Sequence, residues 1–282
     1  MRKVSLLFVI IACLFIPAHV HGQSPFDALN SMDKAINSAD DEFTLVDAYY
    51  LGRAVAANIL ASYRPYTRSP QMTQYLNRIC QTLVINSSGA PAFNGYSVMI
   101  LDSNEFNAFA TPGGHIFVTR RLIESATSED MLAAVLAHEL AHIMLNHSVN
   151  IINEMKLSDE LNTVASRAAT TAARNSADSK RAAYFRASIS TTVDTLMKNG
   201  YSQSQEFEAD REAMSLLARA GYSPAALLDM LRLLQQVQGS QRGGFYSTHP
   251  LPALRIANVE KLQFRVTDTR QFRVPRFRNV KL

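Results

Sequence analysis

The chain is poor in cysteine, in net charge and in long apolar runs. It has two cysteines in 282 residues, and one of them, Cys13, lies in the N-terminal segment. If export removes that segment, Cys80 alone remains, and one thiol builds no internal disulfide framework. Cys80 falls within Met72, Tyr75, Leu76, Ile79 and Leu83, which recur at helical spacing. It therefore reads as a buried apolar thiol, with nothing near it in sequence to act as its base. The formal charge of +4 gives no case for a nucleic-acid partner. Beyond the N-terminus no window reaches the roughly 20 apolar residues that a membrane-spanning helix needs.

The N-terminus has the pattern of a secretory signal. Arg2 and Lys3 precede the apolar stretch Val4 to Ile16, Pro17 interrupts it, and Val20-His21-Gly22 offers small residues before a cut at Gln23. Such a cut removes two basic residues and no acid, so the formal charge falls from +4 to +2. Ile10-Ile11-Ala12-Cys13 also has the form of a lipoprotein signal, although the apolar run continues past it through Leu14-Phe15-Ile16. The division expected is a signal over 1–22, a polar leader over 23–43, a catalytic domain over 44–262 and a basic tail over 263–282.

The most informative stretch is EDMLAAVLAHELAHIMLNH, Glu129 to His147. It is apolar nearly all round, as a buried helix is, and two imidazoles and a carboxylate sit inside it. Buried polar groups are costly unless something satisfies them. His138 and His142 are four apart and share a helical face, a spacing that suits two nitrogen ligands of one zinc ion. Glu139, one position round, can reach a water at the metal without being a ligand, which is the arrangement of a metalloprotease. Thr127-Ser128-Glu129-Asp130 supplies a cap and first-turn acids. His147 lies five after His142 and Ser148 stands where a metzincin third histidine would be, so that subclass is excluded. His147 reads as a helix-end histidine.

Helices are expected over Leu45 to Ser62 and Met72 to Val84, and a strand over Tyr96 to Leu101. Thr111-Pro112-Gly113-Gly114 has the chemistry of a type II turn, so the residues around it form a β-hairpin, with His115 as a strand residue. Such a strand beside a metal could pair with an extended substrate, or be purely structural. Residues 157–200 are rich in Ala, Ser and Thr and suggest a partly mobile helical insertion: a solvated spacer, a lid or a weak membrane-surface contact. In SQEFEADREAMSLLARA, Glu206 and Asp210 share one helical face, with Glu208 and Glu212 on an exposed side. Zinc needs a third protein ligand, and Glu206 is the best placed. Asp210 could then accept the N–H of a ligand imidazole. Choosing Glu206 over Glu208 rests on this spacing and on the resemblance below. Ser223-Pro224 opens a helix to about Gln238, and His249-Pro250 opens a last one to about Leu262. The tail repeats Gln-Phe-Arg-Val, suggesting a small hairpin with a solvated basic face.

Four separated motifs, NAFATPGGHIFVTRRL, HELAHIMLNH, EFEAD and STHPLPALRI, occur in this order. Over about Leu45 to Leu262 the chain resembles the zinc metallopeptidases that include the Ste-type CAAX prenyl protease, HtpX, the Oma-type proteases and the soluble periplasmic BepA-like proteases. The resemblance implies an α+β, mostly helical zincin fold, with a small hairpin or sheet beside the HExxH helix. It implies one zinc per chain held by His138, His142 and Glu206, with Glu139 as general base and Asp210 behind the ligand histidines. His249 would stand near the metal, either steadying an oxyanion or occupying the open zinc position at rest, and Arg255 would support the site. HtpX-like members carry hydrophobic spans, and this chain shows none after its signal. The function expected is therefore an exported zinc endopeptidase of the periplasm or envelope, acting on protein or peptide substrates such as misfolded envelope proteins. The alternatives are a chaperone or assembly factor with a plugged zinc site, a non-peptide zinc hydrolase, and, for location, a lipoprotein anchored through Cys13.

Overall fold

The computed structural model describes residues 44–88, 92–151, 189–237, 248–249, 252–262, 264 and 270–280. The signal, the leader and most of the 157–200 insertion lie outside these residues. Among the described residues, no helix is long and apolar enough to cross a membrane.

The architecture is α+β and mostly helical. Helix α1 spans Leu45–Ser62 and begins at a capping box in which Thr44 and Asp47 satisfy each other's backbone N–H. Helix α2 spans Pro70–Ile85, with Ser69 as its N-cap and proline in its first turn. Three strands follow, β1 (Ser97–Leu101), β2 (Ala108–Thr111) and β3 (His115–Thr119). The short α3 (Arg120–Ser125) leads into α4 (Glu129–Met144), the HExxH helix. After a π-helical turn at Thr195–Asn199 come α5 (Gln203–Arg219), α6 (Ala225–Val237), α7 (Pro252–Val259) and α8 (Arg270–Arg278).

The expected hairpin is present: β2 and β3 are antiparallel, with Thr111 opposite His115. The turn closes through Gly114 N–H donating to the Thr111 carbonyl, and Gly113 supplies the positive φ that a type II turn demands. The sequence did not reveal that β1 joins β3 in parallel, giving the order β1-β3-β2. Side chains alternate across this small sheet as the pleat requires. Val98, Ile100, Ala108, Ala110, Ile116 and Val118 enter the main core, which they share with α2, α4, α5 and α6. Leu101, Phe109 and Phe117 face the other way, into a second core with Leu51, Val55 and Ile59 of α1 and Leu196 and Tyr201. The sheet is thus covered on both faces. Cys80 is wholly buried in the main core, and burial pushes its thiol up to about 12, so it is an inert apolar side chain.

Helix α1 and the β2–β3 turn meet backbone to backbone. A Cβ at Gly52 would lie 1.6 Å from the Pro112 carbonyl oxygen, and one at Gly113 would lie 2.4 Å from Tyr49 Cα. In an unhindered helix, Gly→Ala stabilises by about 1 kcal/mol. Here the sign reverses, because the helix must move off the turn. Gly52→Ala is expected to destabilise by about 1–3 kcal/mol, read as a lower thermal midpoint; a higher midpoint would show that the helix does not sit this close.

The tail departs from expectation. It is helical over Arg270–Arg278, not a hairpin, and Arg273 is buried, not solvated. Arg273 makes a bidentate pair with Asp130 (2.8 and 3.0 Å), and Arg276 pairs with Glu129. Both carboxylates belong to the first turn of α4 and are buried. Tyr75 and Tyr222 donate to Glu129 at 2.6 and 3.0 Å, and the Ser223 N–H donates to Asp130 at 2.7 Å. The N-terminus of the HExxH helix is therefore held by α2, the α5–α6 turn and α8 together.

Candidate metal centre

Helix α4 is buried at every position from Glu129 to His142. Its N-cap is Ser128, whose hydroxyl accepts from the Met131 N–H at 3.2 Å. Helix α5 starts at a second capping box, Ser202 with Gln205, and packs along α4. Both helices carry wholly buried alanines, including Ala133, Ala137 and Ala141 on α4 and Ala209 and Ala213 on α5, whose small side chains suit a close approach. This packing brings the His138/His142 face of one helix to the Glu206/Asp210 face of the other.

Four residues offer ligand atoms that all lie within 4.8 Å of one another: His138, His142, Glu206 and His249. His138 Nε2 is 3.1 Å from His142 Nε2 and 3.2 Å from His249 Nδ1. His249 Nδ1 is 2.9 Å from Glu206 Oε1, and Glu206 oxygens lie 3.5 Å from Nε2 of both His138 and His142. Metal–ligand bonds of about 2.0–2.1 Å in a tetrahedron place the ligand atoms about 3.3 Å apart, close to this spacing. The chemistry of the donors fits as well: three imidazole nitrogens and a carboxylate oxygen, from residues each about 2% exposed or less, lie within 4.8 Å of one another. The residues present fit a bound divalent metal.

The surroundings are arranged around this cluster. Asp210 Oδ1 is 3.1 Å from His138 Nδ1, the nitrogen turned away from the cluster. Arg255 is 1% exposed and reaches both acids, with Nη1 2.7 Å from Glu206 and Nη2 2.6 Å from Asp210. Burial, the largest single influence, disfavours the charged form of each acid, but the Arg255 guanidinium and the facing histidines together outweigh it, holding Asp210 below and Glu206 well below the usual carboxylate range. For His138, burial and Arg255 both act downward, yet the Asp210 and Glu206 carboxylates push it up to about 9. Burial holds His142 well below the usual histidine range, leaving it neutral. Glu139 is shifted up by burial. Neither of its carboxylate oxygens has a hydrogen-bond partner among the described residues, and one lies 3.5 Å from His249 Nε2.

All seven residues singled out from the sequence, His138, Glu139, His142, Glu206, Asp210, His249 and Arg255, thus meet at one buried place. His115 is apart from it, a strand residue against Ser97 and Tyr49. Two neighbours were missed. Tyr201 stacks on the His142 ring (centroids 3.9 Å apart, planes at 17°), and no sequence signal marks it. His147, read as a helix-end residue, is buried with Nδ1 2.9 Å from His142 Nδ1; its place five after a ligand was the only hint. Thr248, beside His249, donates its hydroxyl to Asn107 Oδ1 at 3.3 Å and accepts the Tyr201 N–H at its carbonyl.

Comparison with known proteins agrees with this geometry. The model of a peptidase family, M48, matches residues 70–263. The chain is 29% identical over 197 residues to the beta-barrel assembly-enhancing protease of Escherichia coli K12, covering 69% of this chain and 39% of that protein. It is 28% identical over 196 residues to the metalloprotease LoiP of the same organism, covering 68% of this chain and 72% of the relative. It is 29% identical over 234 residues to a mitochondrial metalloendopeptidase of Schizosaccharomyces pombe, covering 82% and 61%. The chain therefore spans about two fifths of the length of the first of these relatives.

Proposed function

Since the chain belongs to peptidase family M48, we propose that it is a zinc-dependent endopeptidase whose metal is held by His138, His142 and Glu206. The observation that carries this reading is the convergence of buried nitrogen and carboxylate donors on one point, with the Glu139 carboxylate beside them, 3.5 Å from His249 Nε2. Zinc, when bound, is a Lewis acid that polarises a carbonyl and acidifies water.

The chain's own groups do the rest. Glu139 takes the proton of the attacking water on a carboxylate oxygen and delivers it to the leaving amine nitrogen. Burial raises its affinity for that proton, as a base working near neutral pH requires. Asp210 orients His138 through Nδ1 and raises its basicity as a ligand. Arg255 keeps Glu206 and Asp210 ionised, so both remain acceptors. His249, once turned from its present contact with Glu206, is near enough to steady the oxyanion of the tetrahedral intermediate.

Export to the periplasm or envelope, and substrates among misfolded or misassembled envelope proteins, are supported by the signal-like N-terminus and by a relative that is a beta-barrel assembly-enhancing protease. One observation favours a second reading, an assembly factor that seldom cuts. His249 belongs to the same four-residue donor cluster and would supply a fourth ligand to a bound metal, whereas a catalytic site needs that position open.

The test is cleavage of an unfolded protein such as reduced casein. The full chain is expected to cut when zinc-loaded, to stop after chelation and to resume on zinc addition. Cleavage indifferent to the chelator would remove the metal from the account. The His249→Ala variant separates the two roles of that residue: faster cutting identifies a plug, and slower cutting an oxyanion partner.

A further inference from the structure

His142 has a second nitrogen, and the chain has built a partner for it. Its Nε2 faces the ligand cluster, 3.1 Å from His138 Nε2, while its Nδ1 lies 2.9 Å from Nδ1 of His147. His147 Nε2 lies in turn 3.4 Å from Glu208 Oε2. A neutral imidazole carries one N–H and one lone pair. For His142 to offer its lone pair at Nε2, its proton must be on Nδ1. That N–H then donates to His147 Nδ1, which must be the lone-pair nitrogen. The proton of His147 is thereby on Nε2, directed at the Glu208 carboxylate. One tautomer assignment satisfies every contact in the series.

We propose that His147 is a positioning residue for the metal site: it fixes the tautomer and ring orientation of His142, with Glu208 terminating the relay. This rests on the zinc reading above. The two ligand histidines then have different outer partners. His138 has the buried carboxylate of Asp210 directly, 3.1 Å away. His142 has an imidazole, and the carboxylate behind it, Glu208, has a side chain 53% exposed, so this second relay ends at solvent.

The local fold is shaped to make the contact. Helix α4 ends at Met144, and Asn146 follows with φ of 54°, the only non-glycine residue with positive φ among those described. Asparagine tolerates this left-handed conformation better than most residues. The reversal returns His147 against a ring only five residues behind it. Tyr201 closes the face of the same ring and ties its hydroxyl to Ser148 at 2.7 Å. His142 is thus held on its edge by His147 and on its face by Tyr201.

The experiment measures zinc affinity of the full chain by competition with a chromophoric chelator, and the visible spectrum of the cobalt(II)-substituted protein. His147→Leu keeps apolar bulk and removes the acceptor; it is expected to weaken metal binding about 10–100-fold and to alter the cobalt spectrum. His147→Asn places an amide oxygen near the former Nδ1 and is expected to recover most of the affinity. Equal losses in both variants would reduce His147 to packing, and no loss in His147→Leu would remove it from the site; either overturns the proposal. If the wild type itself binds no zinc, the zinc reading fails first, and that outcome is distinct from the other two. Should His147→Leu not fold, ¹⁵N-histidine spectra of the zinc-loaded wild type decide the matter. The proposal requires protons on Nδ1 of His142 and Nε2 of His147; a proton on Nδ1 of His147 overturns it.

Discussion

Glu139→Gln is expected to lower peptide cleavage by about 10²–10⁴-fold while leaving the metal bound. The substitution keeps the size and shape of the side chain and removes only its capacity to take a proton. None of the proposed ligand atoms changes, so zinc content should match the wild type. Stability should not fall either. Glu139 is 1% exposed, and neither of its oxygens has a hydrogen-bond partner among the described residues. Such a carboxylate is costly to bury, and making it neutral removes part of that cost. A thermal midpoint equal to or above that of the wild type, together with lost cleavage, would separate a catalytic role from a structural one. A variant that cuts as fast as the wild type would assign the proton transfer to another group.

The second large effect concerns Arg255. It is wholly buried between Glu206 and Asp210 and touches both. Removing one partner from a buried charge network costs about 3–5 kcal/mol, because the remaining charges are left uncompensated. Arg255→Met leaves two buried carboxylates, one turn apart on α5, without the cation that lies between them. Its thermal midpoint, measured by circular dichroism without metal, is expected to fall by roughly 10 °C. Added zinc should recover part of the loss, since the metal takes over the charge of Glu206. Arg255→Lys should be intermediate, because an ammonium cannot match the planar fork that serves both acids. An unchanged midpoint in Arg255→Met would show that packing, not this ion network, joins the helices.

The candidate site was more legible in the sequence than the fold around it, for a physical reason. Metal-site chemistry is written at short range on helices: His138 with His142, and Glu206 with Asp210, are each four apart and so share a face. Helix α1 was equally plain, expected over Leu45 to Ser62 and found over those residues. The β2–β3 hairpin announced itself through Pro112, Gly113 and Gly114. Pairings across long separations leave no such mark. Nothing local to Ser97–Leu101 says that it runs parallel to His115–Thr119. The Arg273–Asp130 pair joins residues 143 positions apart. In sequence, Asp130 reads as a first-turn acid answering the helix dipole and Arg273 as one of many tail cations. A charge looks the same in the one-letter code whether water or a carboxylate surrounds it. His147 was read as a helix-end residue and not a ligand, and it lies just past the end of α4 and outside the ligand cluster. Its contact with His142 was not foreseen, because it depends on the reversal at Asn146, which is legible only once the helix end is known.

The most direct test of the central claim is the zinc content of the wild type, Glu139→Gln and His142→Ala, each loaded with zinc, exhaustively dialysed, and assayed for cleavage on the same preparations. The account predicts one zinc per chain in the first two, far less in the third, and cleavage by the wild type alone. A full equivalent of zinc in His142→Ala, or cleavage by Glu139→Gln at the wild-type rate, would contradict it.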